Sequence, residues 1–488
     1  MTWVMPLARR TSGADASKIG ANSMDLSLGE VAAHLGSTSQ APGRLARNYS
    51  IDSRTLPADA LFFAIKGPNF DGHTFVPDAL ERGGAVGAVV DRDWAAAAPA
   101  SFAPSLIPVS GTVVALQNLA RAVRRKWSRP VIAVTGSTGK TTTKELLATV
   151  LATRYQVHKT SENLNNHLGV PLALLALSPA HEVAVLEFGM SHAGEIAQLA
   201  RIAAPAIGVV TNVAPVHLEF FDSLDGIAAA KHELIENLVS PSTAVLNYDD
   251  ERVRNFREGF PGRVATFGFE PGAAYRATGF RLIAEAGGAV SSVFRARGPD
   301  CEAEFRLPLP GRHNVENALP SVVLGRLLGV PPGSIAAALS GFAPLRRRTE
   351  VSSLWMSATL INDCYNSNPR ALEQMLELLR DWPRAARRIV VAGEMLELGP
   401  TSPEWHRGAG MKMVANRVDW LLAVQGDARM LLEGARAAGF PPGQARFFAG
   451  AEEAGSFCRS ILRAGDVVLV KGSRGVHLEK AVEQLTRV

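Results

Sequence analysis

The sequence has no apolar run approaching the ~18 to 20 residues that a membrane span requires, so no spanning helix is expected. Cysteine is scarce as well: Cys301, Cys364 and Cys458 lie far apart and are odd in number. They give neither a metal-ligand spacing nor a disulfide framework, which fits a reducing compartment such as the cytoplasm. Basic runs with interleaved aromatics are also missing. The 51 Lys and Arg residues are scattered, and a net charge of +5 is small for 488 residues. A nucleic-acid partner is therefore not expected. The mild positive excess suits an anionic small substrate as well as it suits solubility. Residues 1–23 contain Arg9 and Arg10 but no apolar stretch after them, so they do not read as a secretory signal. Their Ser/Gly/Ala character reads as a disordered leader, with Met24 a candidate start.

A hydrophobic content of 47% with 20% charged residues describes a soluble globular chain. Its length exceeds one ordinary core, so two to four domains are expected, and no internal repeat is visible. From Leu26 to about Pro108, short strands and helices mix. Leu26–Ala32 reads as helical, while Ala60–Ile65 and Ala85–Val90 read as strands. The Pro/Ala-rich stretch Ala95–Pro108 reads as a surface connection. From Val131 the pattern becomes buried apolar runs, Val131–Val134, Val183–Leu186 and Ile207–Val210, alternating with helices. Such runs fit parallel strands covered on both faces, in a doubly wound domain that ends with a helix over Asn314–Leu328. After Pro344, the runs Ile389–Ala392, Trp420–Val424 and Val467–Val470 predict a further α/β domain. The expected divisions are 1–23, 24–108, 109–343 and 344–488.

The strongest chemical signal is Thr135-Gly136-Ser137-Thr138-Gly139-Lys140-Thr141-Thr142, a glycine-bearing turn between a strand and a helix. Glycines let backbone N–H groups point at phosphate oxygens, and the helix N-terminus adds a favourable dipole. Lys140 would neutralise the β- and γ-phosphates and Thr141 would ligate Mg²⁺. Val134 occupies the position where the general phosphate-loop pattern places its first glycine, so the turn is tighter than that pattern. Glu187 ends an apolar strand, where a second Mg²⁺ ligand would sit, and His217 follows another strand end within Thr211–Glu219. Carboxylate and imidazole at neighbouring strand ends can complete a metal site between phosphate and substrate. Asn165 and Asn166, in an asparagine-rich segment, either hold a polar substrate or cap the helix after Pro171. Lys231, on a helix that begins near Leu224, reads from its own surroundings as a solvated lysine.

Together these motifs resemble the Mur ligase family of peptidoglycan precursor synthesis, over nearly all of Met24–Leu485. The loop at Thr135–Thr142 is similar to the family's ATP loop, and Thr211–Glu219 to its histidine-containing central motif. Gly311–Leu319 resembles the Gly-x-His-Asn-x-x-Asn-Ala segment that contacts adenine, which points to Asn314 and Asn317. Asp363–Pro369, Gly393–Gly399 with His406, and Val470–Arg474 resemble segments of the member that joins D-alanyl-D-alanine to UDP-N-acetylmuramoyl-tripeptide. Asn362, Cys364 and Ser367 depart from the usual residues of the first segment.

The resemblance implies three α/β domains: a small N-terminal one, a central doubly wound P-loop ATPase and a Rossmann-like C-terminal one. It implies amide formation through an acyl phosphate, with ATP and Mg²⁺ as cofactors, and a monomer with no membrane span. It assigns catalysis to Lys140, His217 and Lys231, and the metal to Thr141, Glu187, His217 and a carbamylated Lys231. ATP falls to Gly136–Thr142, Asn314, Asn317, Arg348, Asp363 and Asn366. The substrates fall to Ser53, Arg54, Asp71, His73, Asn165, Asn166, Lys471 and Arg474. For Lys231 the resemblance replaces the solvated reading with that of a bridging ligand.

Overall fold

Every buried apolar run named above lies in a sheet. The computed structural model describes residues 24–161, 164–285 and 288–487; the expected leader at 1–23 lies outside them. Strands Asn48–Ser50, Ala60–Phe63, Ala85–Asp91 and Leu106–Val109 form, in that order, a four-stranded parallel sheet. The central sheet has nine strands among the described residues. Its order starts Cys301–Leu307, Val290–Gly298, Tyr275–Ala284, Arg263–Gly268 and Thr243–Asn247. It continues with Ile207–Val210, Val131–Thr135, Val183–Glu187 and Val157–Lys159. All neighbours pair in parallel except at the end carrying the 275–307 strands, where two antiparallel pairings extend the sheet. The third sheet orders Glu350–Ser353, Thr359–Asn362, Val467–Lys471, Arg388–Gly393, Trp420–Val424 and Ala445–Phe448. It is parallel apart from its first pair. The chain thus has a three-unit α/β architecture.

Two local expectations need correcting. The segment at Leu26 is not helical from its first residue. Leu26–Ser27 pairs with Leu45–Ala46, and the helix starts at Leu28. Ser27 and Glu30 form a reciprocal capping box there, which satisfies the first free N–H groups. The stretch Ala95–Pro108 is not a simple connection either, because Leu106–Val109 is a strand with Ile107 fully buried. Pro108 is tolerated because this strand lies at the sheet edge, where a missing N–H costs no ladder bond. The strands at Thr243–Asn247, Arg263–Gly268 and 275–307 were not anticipated. The outer ones are half exposed and lack continuous apolar runs.

The helix Thr112–Trp127 ties the first unit to the second. Its Leu116, Leu119 and Val123 share one core with Leu28 and Val31 on one side and Leu174 and Leu186 on the other. Within the central sheet, Val131–Thr135 lies between Ile207–Val210 and Val183–Glu187. The chain leaves this strand toward one edge through Val157–Lys159 and Val183–Glu187, then continues on its other side at Ile207. Such a reversal of strand order opens a crevice at the carboxyl ends of the strands, where ligands of open α/β sheets bind.

Candidate active site

The crevice opens into a cavity of about 780 Å³ between the central and C-terminal units. Its central wall starts with the turn after Val131–Thr135. Gly136 and Gly139 have φ of 143° and 79°, left-handed conformations that favour glycine. A Cβ at Gly136 would lie 1.9 Å from Thr211 Oγ1, and one at Gly139 would lie 2.0 Å from Asn317 Oδ1. The turn is pinned to the neighbouring strand end: Ser137 N donates to Asn212 O at 2.9 Å, and Thr138 N donates to Asn212 Oδ1 at 2.9 Å. Helix Lys140–Ala152 then starts with its N-terminus at the cavity. Lys140 Nζ donates to the carbonyls of Gly136 and Ser137 at 2.8 and 3.3 Å, so the ammonium curls over the turn. Burial lowers its pKa; Glu187 opposes that shift and Arg348 adds to it.

Glu187 ends its strand and is 2% exposed. Its Oε2 accepts from Thr141 Oγ1 at 2.8 Å and its Oε1 from Asn165 Nδ2 at 2.9 Å. Its own N–H donates to Thr160 Oγ1, and the fully buried Lys144 donates from Nζ to Thr160 O at 2.6 Å. Lys144 therefore fixes the segment that orients Glu187, a role that no motif announces. Asn166 Oδ1 accepts from Leu168 N and Gly169 N, so its oxygen serves the turn into the next helix, as the capping alternative had it.

Lys231 is not the solvated lysine its surroundings suggested. It is 2% exposed, lines the cavity, and has neither a hydrogen bond nor an ion pair with any described residue. Burial, with nearby Lys140 in second place, holds its pKa well below the usual lysine value. An ammonium in that position would be an uncompensated buried charge. His217 lines the same cavity with φ of 55°, and its Nδ1 lies 2.6 Å from Glu397 Oε2.

Helix Arg312–Leu327 brings His313, Asn314, Glu316 and Asn317 to the cavity. Asn314 Nδ2 donates to Pro310 O at 2.8 Å. Burial pushes the His313 pKa down to about 4 and that of Glu316 up to about 7. Neither residue was assigned a role from the sequence: His313 is the histidine of the Gly-x-His-Asn-x-x-Asn-Ala segment, and Glu316 falls on one of its unspecified positions.

The opposite wall comes from the C-terminal unit. Asp363 Oδ1 accepts from Thr349 N at 2.8 Å, and its Oδ2 accepts from Lys471 Nζ. Lys471 also donates to Asn366 O at 3.0 Å. The Tyr365 ring lies between two guanidiniums: Arg348 Cζ is 4.2 Å and Arg474 Cζ 4.9 Å from its centroid, and Arg474 donates to the Tyr365 hydroxyl. Stacking on an aromatic face holds a cation without neutralising it.

The cavity lining thus unites Ser137–Thr142, Asn165, Asn166, Glu187, His217, Lys231, Asn314, Asn317, Arg348, Asp363, Asn366, Lys471 and Arg474, with Gly136 just behind. Ser53, Arg54, Asp71 and His73 do not join it. They lie on the first unit, where Asp71 and His73 engage each other. Arg54 pairs with Asp52 and is 85% exposed in its side chain. His73 is buried; its Nδ1 faces Asp71 Oδ1 at 2.6 Å and its Nε2 accepts from Asp91 N at 2.9 Å. Both ring nitrogens are therefore occupied, which corrects the expectation that His73 meets a substrate directly.

Three family profiles match in register with these units. The Mur ligase family catalytic domain covers residues 46–128, the Mur ligase middle domain 134–325, and the Mur ligase glutamate ligase domain 347–474. The UDP-N-acetylmuramoyl-tripeptide–D-alanyl-D-alanine ligase of Bacillus subtilis is 33% identical over 89% of this chain and 92% of its own length. The protein of the same name from Synechocystis is 35% identical over 90% and 91%. The chain belongs to the Mur ligase family. Among solved structures, MurF from Acinetobacter baumannii superposes with a TM-score of 0.85 at 28% identity, covering 95% of this Mur ligase and 99% of that chain. MurF from Thermotoga maritima in complex with ADP gives 0.77 at 28%, covering 90% and 97%. A folylpolyglutamate synthase from Mycobacterium tuberculosis, at 17% identity and a TM-score of 0.61, shares the fold.

Proposed function

We propose that this Mur ligase joins D-alanyl-D-alanine to UDP-N-acetylmuramoyl-tripeptide, consuming ATP and releasing ADP and phosphate. The observation that carries the reading is the meeting, in one cavity, of a phosphate turn, a carboxylate–hydroxyl pair and a set of cations from a second unit. The curated relatives bearing that name extend over nine-tenths of the chain.

A carboxylate is a poor electrophile at neutral pH, so it must be activated before an amine can attack. In the first step a terminal carboxylate oxygen of the tripeptide attacks the γ-phosphorus of ATP. The bond to the bridging oxygen breaks, ADP leaves, and an acyl phosphate remains. In the second, the D-alanyl-D-alanine amine attacks the acyl carbon through a tetrahedral intermediate. Phosphate then leaves with the acyl C–O bond electrons, and the nitrogen loses a proton. Phosphoryl transfer of this kind depends on positioning and charge neutralisation. Backbone N–H groups of 139–141 hold the phosphates, on a turn that Asn212 fixes through the N–H groups of Ser137 and Thr138, and Lys140 swings from its carbonyls to the γ-phosphate. Arg348 neutralises charge from the opposite side, held ready on Tyr365. Asn314 and Asn317 take the adenine and Asp363 the ribose.

Thr141 and Glu187 offer hard oxygen donors at hydrogen-bond distance from each other, which fits Mg²⁺. Among the described residues no group of three or more His, Cys, Asp or Glu could hold a metal by itself, so His217, phosphate oxygens and water would complete the shell. Bound there, Mg²⁺ would withdraw charge from the phosphate oxygens. Lys231 fits the same picture as a carbamate: addition of CO2 to the neutral amine, with release of a proton to water, would turn it into an anion that balances Lys140. His217 completes this side of the site.

We assign the UDP-sugar to residues 24–108, with Ser53, Arg54 and Asp71 as contacts and His73 as the residue that orients Asp71. Residues 109–343 take ATP, and 344–488 close over it, with Lys471 and Arg474 toward the dipeptide. Asn165 and Asn166 face the tripeptide end. We take the protein to act as a monomer. No helix among the described residues is long and apolar enough to cross a membrane, and nucleotide-linked substrates suit a cytoplasmic enzyme. The deciding measurement is ADP release with UDP-N-acetylmuramoyl-tripeptide, with and without D-alanyl-D-alanine. Release that requires both substrates is expected. Release that ignores the dipeptide, or that needs a folate and glutamate instead, overturns the reading.

A further inference from the structure

The contact between His217 and Glu397 spans two units, and both sides of it are built. His217 belongs to the central unit and Glu397 to the loop after strand Arg388–Gly393, 180 residues later. A carboxylate only accepts, so the 2.6 Å contact places the imidazole proton on Nδ1 and leaves the Nε2 lone pair free. Both residues occupy left-handed backbone, with φ of 55° and 63°, a conformation that costs energy for residues other than glycine. The surrounding structure enforces it. Met395 N donates to His406 Nε2 at 3.0 Å, Leu396 N to Ser473 Oγ at 2.9 Å, and Ser473 N to Glu394 O at 3.1 Å. His406, buried completely, thus holds the loop that presents Glu397. Across the cleft, Glu219 N donates to Glu397 O, and Leu218 packs against the C-terminal core. Gly399 sits so close that a Cβ there would lie 3.2 Å from Leu218 O.

We propose that Glu397 is a positioning residue for the cation site: it fixes the tautomer and orientation of His217, and does so only when the C-terminal unit is closed. The proposal rests on the reading of His217 as a cation ligand. The physical ground is general. A ligating histidine whose second nitrogen donates to a carboxylate is held in one tautomer and made more basic, and loss of that carboxylate weakens metal affinity. Here the carboxylate arrives from the opposite unit, so closure and cation affinity become one equilibrium. Glu397 and His217 are both partly solvent-accessible, with side-chain exposures of 52% and 25%, so substitution leaves the core intact.

The test titrates Mn²⁺ into the full-length protein with a non-hydrolysable ATP analogue, followed by the EPR signal of free Mn²⁺. Small-angle scattering of the same samples reports closure. Glu397→Ala is expected to raise the apparent Mn²⁺ dissociation constant about tenfold or more. Glu397→Gln, whose amide oxygen still accepts from Nδ1, restores most of the affinity. The double variant His217→Ala/Glu397→Ala binds no more weakly than His217→Ala alone, because the two act through one contact. Unchanged Mn²⁺ affinity in Glu397→Ala, with His217→Ala impaired, overturns the proposal and leaves the ligand reading standing. Unchanged affinity in His217→Ala overturns both. Additive losses in the double variant also overturn it, since Glu397 would then act elsewhere.

Discussion

The two walls of the cavity handle charge in opposite ways. Around the phosphate turn of the central wall, charged and polar groups are served within a turn of chain or by the adjoining strand and helix, whereas His217 reaches Glu397 across the cleft. Lys140 donates to carbonyls three and four residues before it, and Glu187 meets Thr141 on the helix beside its strand. On the C-terminal wall, Lys471 and Arg474 are held by groups remote in sequence, Asp363 and Tyr365, more than 100 residues away, while Arg348 rests on the same tyrosine ring from earlier in that unit. The first arrangement follows from local backbone geometry and exists whenever the turn folds. The second exists only when the third sheet is assembled, and it faces the first only when the cleft is closed. A rigid cradle opposed by a set of tertiary-held cations suits a reaction in which closure excludes water from an acyl phosphate.

The sharpest way to break this contrast is to remove the one cation the central wall owns for the γ-phosphate. Lys140→Ala is expected to reduce ADP formation by at least about a thousandfold, the scale of losing a preorganised charge at the transferring group. Nucleotide binding through the backbone N–H groups should partly survive. Wild-type turnover in this variant, measured by coupled ADP release, would contradict the assignment of the loop.

On the opposite wall, one change should disturb two partners at once. Asp363→Ala frees Thr349 N and leaves Lys471, 2% exposed, without its carboxylate. Breaking a buried pair by removing one member costs on the order of 3 kcal/mol. Both a lower melting temperature and an ATP KM raised about a hundredfold are therefore expected. An unchanged KM would mean that the nucleotide does not use this wall.

A smaller effect separates holding from neutralising. Tyr365→Phe keeps the ring that carries Arg348 and Arg474 but removes the hydroxyl that Arg474 reaches; Tyr365→Ala removes both. Cation–π contacts are each worth about 1 kcal/mol. The alanine variant should therefore lose roughly tenfold in kcat/KM, while the phenylalanine variant retains most activity toward ATP. Equal losses in the two would show that the hydroxyl, not the ring, sets the guanidiniums.

The same contrast explains which features were legible in the sequence. Gly136, Gly139, Lys140 and Thr141 sit in contiguous chain, and strand, turn and helix each leave a local signature. The buried strands at Val131, Val183 and Val467 were readable for the same reason. Lys231 was not legible from its own surroundings, since a lysine on a helix reads as solvated and only the packing of that helix beside the phosphate turn buries it; the family resemblance, not the local pattern, pointed to it. Glu316 was hidden as a spacer between the asparagines, and His313, though part of that segment, was given no role. The pair His217–Glu397 has no sequence signal of its own, since it depends on how two units meet. On the first unit the error ran the other way. His73 has the composition of a ligand contact, but its two nitrogens serve Asp71 and Asp91 N.

The mildest test of the contrast uses pH, because the central wall carries a histidine that burial keeps neutral. The His313 pKa is held at about 4, chiefly by burial. Lys471 and Arg370 push the same way, and Asp363 opposes them. In the unfolded chain a histidine titrates near 6.5. Between these values the unfolded state binds more protons than the folded one, so stability rises with pH across that window. The full contribution is present above about pH 6.5 and is lost as pH falls toward 4. His158, also held at about 4 by burial and by His181, adds to the same trend. The melting temperature should fall by several degrees between pH 7.5 and 5, and His313→Gln should flatten part of that slope. Burial is the largest cause, so opening the cleft exposes the His313 ring and favours its protonated form, while the mutually opposing contributions of Asp363, Lys471 and Arg370, all on the opposite unit, are lost together. Acid should therefore also favour the open form, seen as a larger radius of gyration at pH 5 than at pH 7.5 in the wild type and a smaller difference in the glutamine variant. A slope unaffected by the substitution would place the acid sensitivity elsewhere and remove His313 from the coupling between the walls.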